Sequence, residues 1–534
     1  MSEGKRRGPS LLSGVLVLSV ASLSVKIIGL LFKIPLSHLL GDEGMGYFNS
    51  AYTIYGWLYV IATAGLPIAL SILISDASER GDEDRVHRIF RSAMLTLFFV
   101  GALGSLVMLV FSGTLARLIG SEGSRAAIFA IAPTLLFVSL SGGIRGYFQG
   151  RRQMLPTAIS QLLEAVGKLA FGMFFGSYAA KRGESVDIIA AYAILGVTVA
   201  TLLASVYLWV LMCFEGRSVP QMRCVALRSN ERGSELVALL RIALPITVSA
   251  SVASLTNLID LTFLMNLLPK AGYSVKEATA LFGNYSTLVV PVSHIPAILI
   301  SPIASSLVPY LSAELAKGNR KRAADLSSAA LRFASIITLP AMAIFALFGE
   351  KILSLVFDPT SAGIAAPILA ALSPSIFFFG VSSVTGAILE ANGKCTLTLR
   401  SMSVGAAVKL IVGFLLIARP GFGIYGAVIG SVACYATASV LNLMEIRRVI
   451  GALPSIFDFF AKPFLAVALS ALLSVLFLKG MRPHLFGTPL TLALLSFIGC
   501  TYLVLLHLFR AILPEDLAHL PFISKLRSPK PTKD

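Results

Sequence analysis

Apolar runs of about 20 residues recur along the whole chain, and they constrain its fold more than any other feature. A run of this length crosses a hydrocarbon layer of ~30 Å as an α-helix, and helices and closed barrels alone satisfy every backbone hydrogen bond in lipid. With 56% hydrophobic and 13% charged residues, the chain is too apolar for an ordinary soluble domain. The sequence therefore predicts an all-α, multi-pass membrane protein.

The apolar runs predict about fourteen membrane-spanning helices. They lie at residues 11–39, 46–75, 90–117, 126–148, 157–180, 187–213, 236–268, 279–312, 328–348, 363–391, 398–418, 424–446, 458–479 and 488–512. The first run follows Lys5, Arg6 and Arg7 and is too long for a signal-peptide core, so we expect it to be retained.

Lysine and arginine are concentrated in alternate loops, as the positive-inside rule predicts. The basic loops include Arg151-Arg152, the segment from Arg217 to Arg232, and the segment from Lys317 to Arg322. We expect a bacterial plasma membrane protein with both termini in the cytoplasm. The net charge of +17 follows from this topology and does not indicate nucleic-acid binding.

Parts of the first half of the sequence return in the second half in the same order. Residues 19–23 (Ser-Val-Ala-Ser-Leu) return as residues 251–255. Three further residues precede their counterparts by 241 positions: Pro133, Lys168 and Gly172 match Pro374, Lys409 and Gly413. Because six is an even number, two six-helix repeats enter the membrane in the same sense and are related by a pseudo-two-fold axis along its normal.

The repeat predicts an N-lobe at 1–215 and a C-lobe at 236–450, joined by a cytoplasmic loop at 216–235. Helices 13 and 14 lie at 451–513, and a cytoplasmic tail follows at 514–534. Parallel repeats of this kind are typical of transporters, in which the substrate site lies between the lobes and access alternates.

Lysines inside the predicted helices indicate an anionic cargo, because a bare ammonium in mid-bilayer is costly and needs a cavity, an anion or a carboxylate. Lys26 and Lys33 lie on nearly one face of helix 1, where ammonium groups suit a phosphate or pyrophosphate. Alternatively, Lys33 extends to the outer interface. Glu164 and Lys168, one turn apart on helix 5, either neutralise each other or face the cavity. Lys409 has no such neighbour, so its charge must be met by another helix, water or substrate.

Two further positions are candidates for coupling or gating. Asp260, one turn after Asn257 on helix 7, either binds a coupling H⁺ or Na⁺ or pairs with a lysine. His294 lies in the stretch from Pro291 to Pro296, where two prolines release backbone carbonyls. No cofactor is predicted, and H⁺, Na⁺ and the membrane potential remain alternative driving forces.

Arg145 lies in the segment 145–150, which closes helix 4 at the predicted cytoplasmic face. It either anchors the protein to anionic headgroups or captures a lipid-linked phosphate from the inner leaflet. The acidic triplet 82–84 fits a solvated loop better than a sugar-nucleotide site. The five scattered cysteines indicate neither a disulfide framework nor a metal site, and no phosphate-cradling or nucleophile motif predicts an enzyme.

Three segments carry a family resemblance: Lys26-Ile-Ile-Gly29 with Lys33, residues 145–150 with 156–161, and Val308-Pro-Tyr-Leu-Ser312. With them the chain resembles the polysaccharide-export branch of the multidrug/oligosaccharidyl-lipid/polysaccharide (MOP) flippase superfamily, in particular the stage V sporulation protein B and MurJ-like group. The resemblance implies two lobes forming a V, a central cationic cavity, and a lipid-tail groove at helices 13 and 14. Lys26 matches a cavity arginine of the family, whereas Lys33 falls one residue late.

The resulting hypothesis is a flippase that moves an undecaprenyl-pyrophosphate-linked cell-wall precursor, such as lipid II, from the inner to the outer leaflet. Lys26, Lys33, Arg145, Lys168 and Lys409 would bind the substrate. The coupling or gating residues would be Asp260, Asn257, Glu164 and His294. The alternatives are a cation-coupled multidrug exporter of the MATE type and a non-transport scaffold that recruits cell-wall synthases. The expected partners are the lipid-linked oligosaccharide and membrane lipids, and the role is either in growth or in sporulation.

Overall fold

The computed structural model describes residues 11–214, 229–450, 455, 457–481 and 487–511, and all its regular elements within these ranges are helical. The predicted all-α fold is therefore confirmed. The chain divides into two compact units, Met1–Thr287 (unit 1) and Leu288–Asp534 (unit 2). Outside the described ranges lie the predicted basic amino terminus, residues 216–228 of the inter-lobe loop with Cys224, and the predicted tail at 514–534.

Unit 1 contains ten α-helices among its described residues. They are α1 (Leu11–Thr63), α2 (Leu66–Glu79), α3 (Glu83–Val110), α4 (Ser112–Leu118), α5 (Arg125–Ile131), α6 (Thr134–Gly150), α7 (Leu155–Lys181), α8 (Val186–Phe214), α9 (Ser229–Leu267) and α10 (Val275–Asn284). A core of buried apolar side chains joins α2, α3, α6, α8 and α9. Helix α9, which was predicted to open the C-lobe, thus packs within unit 1, and the lobe boundaries stay a prediction.

Unit 2 begins inside a π-helical segment, Tyr285–Val289. Its α-helices are α11 (Val290–Ser293), α12 (Ile295–Ala316), α13 (Arg320–Leu353), α14 (Pro359–Leu372), α15 (Pro374–Ala391), α16 (Cys395–Ile417), α17 (Ile424–Ile450), α18 (Lys462–Met481) and α19 (Gly487–Leu508). A second π-helical segment, Phe457–Ala461, precedes α18. The core of this unit draws on α12, α13, α15 and on α17 to α19.

Helix α1 contains the first predicted helix and the first part of the second, and the two meet at a sharp kink. At Gly41 the backbone has φ 62° and ψ −175°, a conformation that is almost restricted to glycine. The α1–α2 stretch Val20–Glu79 runs for 60 residues. At 1.5 Å per residue this is about 90 Å, too long for one crossing of a ~30 Å hydrocarbon layer, and the kink at Gly41 divides it into two crossings.

Thirteen stretches in the described part of the chain are long and apolar enough to cross a membrane. Because the α1–α2 stretch holds two crossings, these thirteen accommodate the fourteen predicted helices. The chain is a multi-pass membrane protein, as the sequence predicts.

The repeat is reflected in matching breaks of the backbone. Helix 4 is divided at Pro133 into α5 and α6, and helix 10 is divided near Pro374 into α14 and α15. The hairpins that follow are also alike, since a glycine of each second helix packs on the first. Gly196 of α8 lies against Gly172 of α7, and Gly430 of α17 lies against the backbone of Lys409 on α16.

Candidate functional site

A cluster of three charged side chains lies inside unit 1. The Glu164 carboxylate of α7 accepts hydrogen bonds from Arg145 Nη2 at 2.9 Å and pairs with Lys168 Nζ at 2.8 Å. Arg145 and Glu164 are 9% and 8% exposed, and Lys168 is partly buried. Two cations thus share one carboxylate, which leaves one net positive formal charge.

Neighbouring polar groups hold the cluster in place. Arg145 Nε donates to Ser160 Oγ at 2.9 Å, and Thr201 Oγ1 of α8 lies 3.4 Å from Glu164 Oε1. Ser160, Glu164 and Lys168 recur at four-residue spacing and therefore share one face of α7. This face meets Arg145 of α6, so each buried charge has a partner, as a low-dielectric interior requires.

A row of aromatic side chains runs along the second part of α1. The ring centroids of Phe48, Tyr52, Tyr55 and Tyr59 follow one another at 5.9, 5.6 and 5.7 Å. Tyr52 and Tyr59 lie within electrostatic range of Lys168. Helix α1 thereby places phenolic side chains near the charged cluster.

Lys33 is bound to the backbone at the π-helical segment. Its Nζ donates to the Ser286 carbonyl at 3.0 Å. In a π register this carbonyl would accept from residue 291, which is proline and has no N–H. The ammonium thus supplies this carbonyl with a donor within unit 1.

The other candidates of unit 1 have different surroundings. Lys26 and Asn257 are exposed, whereas Asp260 is buried at 8% exposure. The charged cluster does not include these three residues. Their roles in substrate binding and coupling stay predictions.

In unit 2, His294 and Lys409 lie near each other. His294 separates α11 from α12, so the predicted break between the two prolines is present. Its ring lies 6.0 Å from Phe379, which in turn packs edge-on against Tyr435 at 5.4 Å. Lys409 of α16 is within electrostatic range of His294.

A second group of ion pairs joins the loops at the end of unit 1 predicted to be cytoplasmic. Arg151 makes a two-point contact with Glu83, and Arg152 pairs with Glu79. Arg85 connects this end to α9 by pairing with Glu235 at 3.3 Å. The acidic triplet 82–84, which was predicted to lie in a solvated loop, is thus partly ion-paired through Glu83. Asp82 caps α3, because its carboxylate accepts a hydrogen bond from the Arg85 amide at 2.8 Å.

Sequence reasoning found Glu164 and Lys168 as neighbours but placed Arg145 at the membrane face. The structure instead puts the Arg145 side chain beside Glu164, on another helix. The common spacing of Ser160, Glu164 and Lys168 is a signal that could have indicated a polar face of α7 directed at a neighbouring helix. No sequence pattern identified the Ser286 carbonyl, although Pro291 marks the missing donor.

These features define an all-α, multi-pass membrane protein that holds charged side chains inside its spanning helices. The chain belongs to the polysaccharide biosynthesis protein family, whose model matches residues 11–314. A second model, described as MatE, matches residues 286–415. Both matches confirm the resemblance to the MOP superfamily.

Similar proteins cover nearly the whole chain. Stage V sporulation protein B of Bacillus subtilis (strain 168) is 23% identical over 521 residues, which are 96% of this chain and 98% of the relative. Lipid II flippase MurJ of the same organism is 22% identical over 82% of each chain. A solved structure of lipid II flippase MurJ, in an inward closed conformation, has a TM-score of 0.66, with 14% identity, over 92% of this chain and 98% of that chain. The last likeness shows that the fold is shared.

Proposed function

We propose that this protein moves a lipid-linked saccharide precursor, carried on a polyprenyl diphosphate such as undecaprenyl pyrophosphate, from the inner to the outer leaflet. The observation that carries the proposal is the Arg145–Glu164–Lys168 cluster, with its net positive charge inside the spanning helices. The family, and the relatives named as a lipid II flippase and a sporulation protein, support the same cargo class.

The cluster suits transient binding of a diphosphate. Glu164 pairs with both cations but carries only one negative charge, so the cluster keeps one net positive charge. A diphosphate oxygen can replace the carboxylate at Lys168, because an ammonium is a point charge with several donors and no fixed geometry. Arg145, which also bonds to Ser160, would keep Glu164 in position during the exchange. Lys26, Lys33 and Lys409 are proposed to bind the same cargo.

Alternating access remains the proposed mechanism, with Asp260, Asn257 and His294 in coupling or gating. The proposed location is the bacterial plasma membrane, with both termini in the cytoplasm. Cell-wall synthases would be partners under the alternative in which the protein is a non-transport scaffold that recruits them.

The proposal is tested by transport of a fluorescent polyprenyl-diphosphate saccharide in proteoliposomes. Lys168→Met removes the charge at nearly constant length, and we expect transport to fall on the order of tenfold or more, as for loss of a specific charge contact. Lys181→Met is the matched control, because Lys181 lies exposed at the end of the same helix. Full transport by folded Lys168→Met protein would contradict the assignment of the cluster.

A second candidate function is export of an organic cation, which the MatE match favours. A cavity of about 360 Å³ in unit 2 is lined by serines, by the rings of Phe379 and Tyr435, and by Glu390. Ser301 and Ser305 donate their protons to helix carbonyls, so their oxygens face the cavity as acceptors. Aromatic faces, hydroxyl oxygens and a carboxylate attract cations.

Ethidium efflux tests this second function. We expect Glu390→Gln to abolish efflux if the cavity carries an organic cation, while Glu350→Gln, an exposed glutamate of the same unit, leaves it unchanged. Absence of efflux in the unaltered protein would exclude ethidium as a cargo and leave the saccharide carrier in place.

A further inference from the structure

A cavity with charged residues in its lining lies in unit 1, away from the Glu164 cluster. It has a volume of about 890 Å³ and is bordered by the end of α3, by α4 and by α5. Its lining includes Gly113, Arg117, Glu122 and Arg125, together with the apolar residues Val110 and Phe129. We call it the α4–α5 cavity.

Two arginines line this cavity, Arg117 of α4 and Arg125 of α5. Gly113 and Arg117 are four residues apart and share one face of α4. The Arg125 side chain lies over this face, with its Nε 3.5 Å from the point where a side chain on Gly113 would begin. Neither arginine forms an ion pair with a carboxylate in the described part of the chain. The lining thus carries two positive charges and the one negative charge of Glu122, and the net positive charge favours a bound anion.

The loop between α4 and α5 is held in place from several sides. The Leu118 carbonyl accepts a hydrogen bond from Asn266 Nδ2 of α9 at 3.1 Å. The buried hydroxyls of Ser121 and Ser124 bond to each other at 2.6 Å, and Gly123 lies against the ring of Tyr47. The backbone that carries the two arginines is therefore held in place, which lowers the conformational entropy that is lost when a ligand binds.

Apolar residues on the rim indicate that the anion is carried by a lipid. Val110 and Phe129 are 64% and 57% exposed, and Leu118 next to Arg117 is 64% exposed. A free phosphate gains nothing from such a rim, whereas a lipid brings phosphate and acyl chain together. Arginine is also the side chain best suited to bind a phosphate through two parallel hydrogen bonds.

We propose that the α4–α5 cavity binds the anionic phosphate headgroup of a membrane lipid through Arg117 and Arg125. The cavity lies at the end of α3 opposite to Glu83, which pairs with Arg151, so the predicted topology places the bound lipid in the outer leaflet. The site is separate from the proposed transport site, and it can exist whether or not the protein carries saccharides.

Native mass spectrometry of the full chain tests the proposal, after reconstitution in vesicles of phosphatidylglycerol and phosphatidylcholine. We expect the unaltered protein to retain phosphatidylglycerol selectively. The double variant Arg117→Gln/Arg125→Gln should lose on the order of tenfold in retention, because both charge-assisted contacts are removed. Arg182→Gln is the matched control, since Arg182 is predicted to lie on the same side of the membrane and packs on Tyr178 outside the cavity.

Two further variants separate binding from general structural damage. Gly113→Leu keeps both charges but fills the cavity, so it should reduce lipid retention as the double variant does. Glu122→Gln removes the negative charge from the lining and should raise retention several-fold, the opposite direction. Equal phosphatidylglycerol retention in the unaltered protein and the double variant would overturn the proposal. Displacement of the lipid by equimolar inorganic phosphate would overturn its assignment to a lipid headgroup.

Discussion

At the scale of single residues, Glu164 is a carboxylate whose charge depends on its partners, because it lies among spanning helices. It is almost fully buried and meets two cations, Arg145 and Lys168. Removing a partner from a buried ion pair leaves an uncompensated charge, which is far costlier than the pair is stabilising. Glu164 therefore stabilises the fold as well as setting the net charge of the cluster.

We predict that Glu164→Gln lowers the free energy of unfolding by about 3–5 kcal/mol, because the buried Arg145 and the partly buried Lys168 then lose the carboxylate that they share. Unfolding in detergent, followed by circular dichroism, measures the change. The double variant Glu164→Gln/Lys168→Gln has one cation fewer and should recover part of the loss. A single variant as stable as the unaltered protein would show that water reaches the cluster.

Lys33 offers a second test at this scale. Lys33→Met leaves the Ser286 carbonyl without a donor, and we expect a loss of about 1–3 kcal/mol, the usual cost of an unsatisfied buried polar group. Adding Pro291→Ala supplies a backbone N–H in the π register and should recover stability in the double variant. If Pro291→Ala rescues nothing, the carbonyl is satisfied in another way.

The two residue-scale sites differ in how far the sequence predicts them. Glu164 and Lys168 are four positions apart on one helix, so their pairing follows from helix geometry alone. Arg145 reaches Glu164 only through the packing of α6 on α7, which no local pattern encodes. The Ser286 carbonyl is a backbone group, and every residue has one, so no residue type marks it in the sequence. Whether it needs a side-chain donor depends on the helix register.

At the scale of elements, the contact between α1 and α10 depends on two glycines. A side chain on Gly46 would begin 2.2 Å from the Thr279 carbonyl oxygen, and one on Gly283 would begin 2.1 Å from the Asp42 carbonyl oxygen. Nearby, Asn49 Nδ2 of α1 donates to Thr287 Oγ1 at 2.7 Å. The backbones of the two helices therefore approach too closely for any other residue at these positions.

Gly46→Ala tests this close approach. We expect a loss of about 1–3 kcal/mol in stability, because the added methyl group forces the helices apart. Gly56→Ala on the same helix meets no atom within 4 Å and should be neutral or slightly stabilising. Thermal unfolding of both variants measures the difference, and equal effects would argue against a tight α1–α10 contact.

The start of α10 has a predictable pH dependence. The Ser274 amide and hydroxyl donate to the Glu277 carboxylate at 2.7 and 2.8 Å, and these bonds lower the pKa of Glu277. A lowered pKa in the folded state contributes stability above the unfolded value of about 4.3, and this is lost as the pH falls through the folded value. We therefore expect hydrogen exchange at the start of α10 to rise below about pH 4. In Glu277→Gln this dependence should disappear.

Prolines explain why helix breaks were easier to predict than helix registers. The break at His294 follows from Pro291 and Pro296, since neither can donate a backbone hydrogen bond. The π-helical segment before Pro291 required the structure, because its register depends on packing. For the same reason no sequence pattern predicted that helix 3 divides into α3 and α4.

At the scale of the whole molecule, the topology makes a direct prediction. In a variant without native cysteines, Lys181→Cys should react with a membrane-impermeant maleimide in intact cells. Lys317→Cys should react only after permeabilisation, because the positive-inside rule places the loop after α12 in the cytoplasm. The opposite labelling pattern would reverse the assigned orientation, and with it the leaflet proposed for the α4–α5 cavity.

The division of the chain after Thr287 has a consequence for spectroscopy. The chain has two tryptophans, Trp57 on α1 and Trp209 on α8, and both belong to unit 1. Intrinsic tryptophan emission therefore reports on unit 1 alone, with the tyrosines around Trp57 as nearby energy donors. Unit 2 has no tryptophan and does not contribute to this emission. A tryptophan introduced at an exposed phenylalanine of unit 2, such as Phe414, would give each unit its own optical signal during the transport cycle.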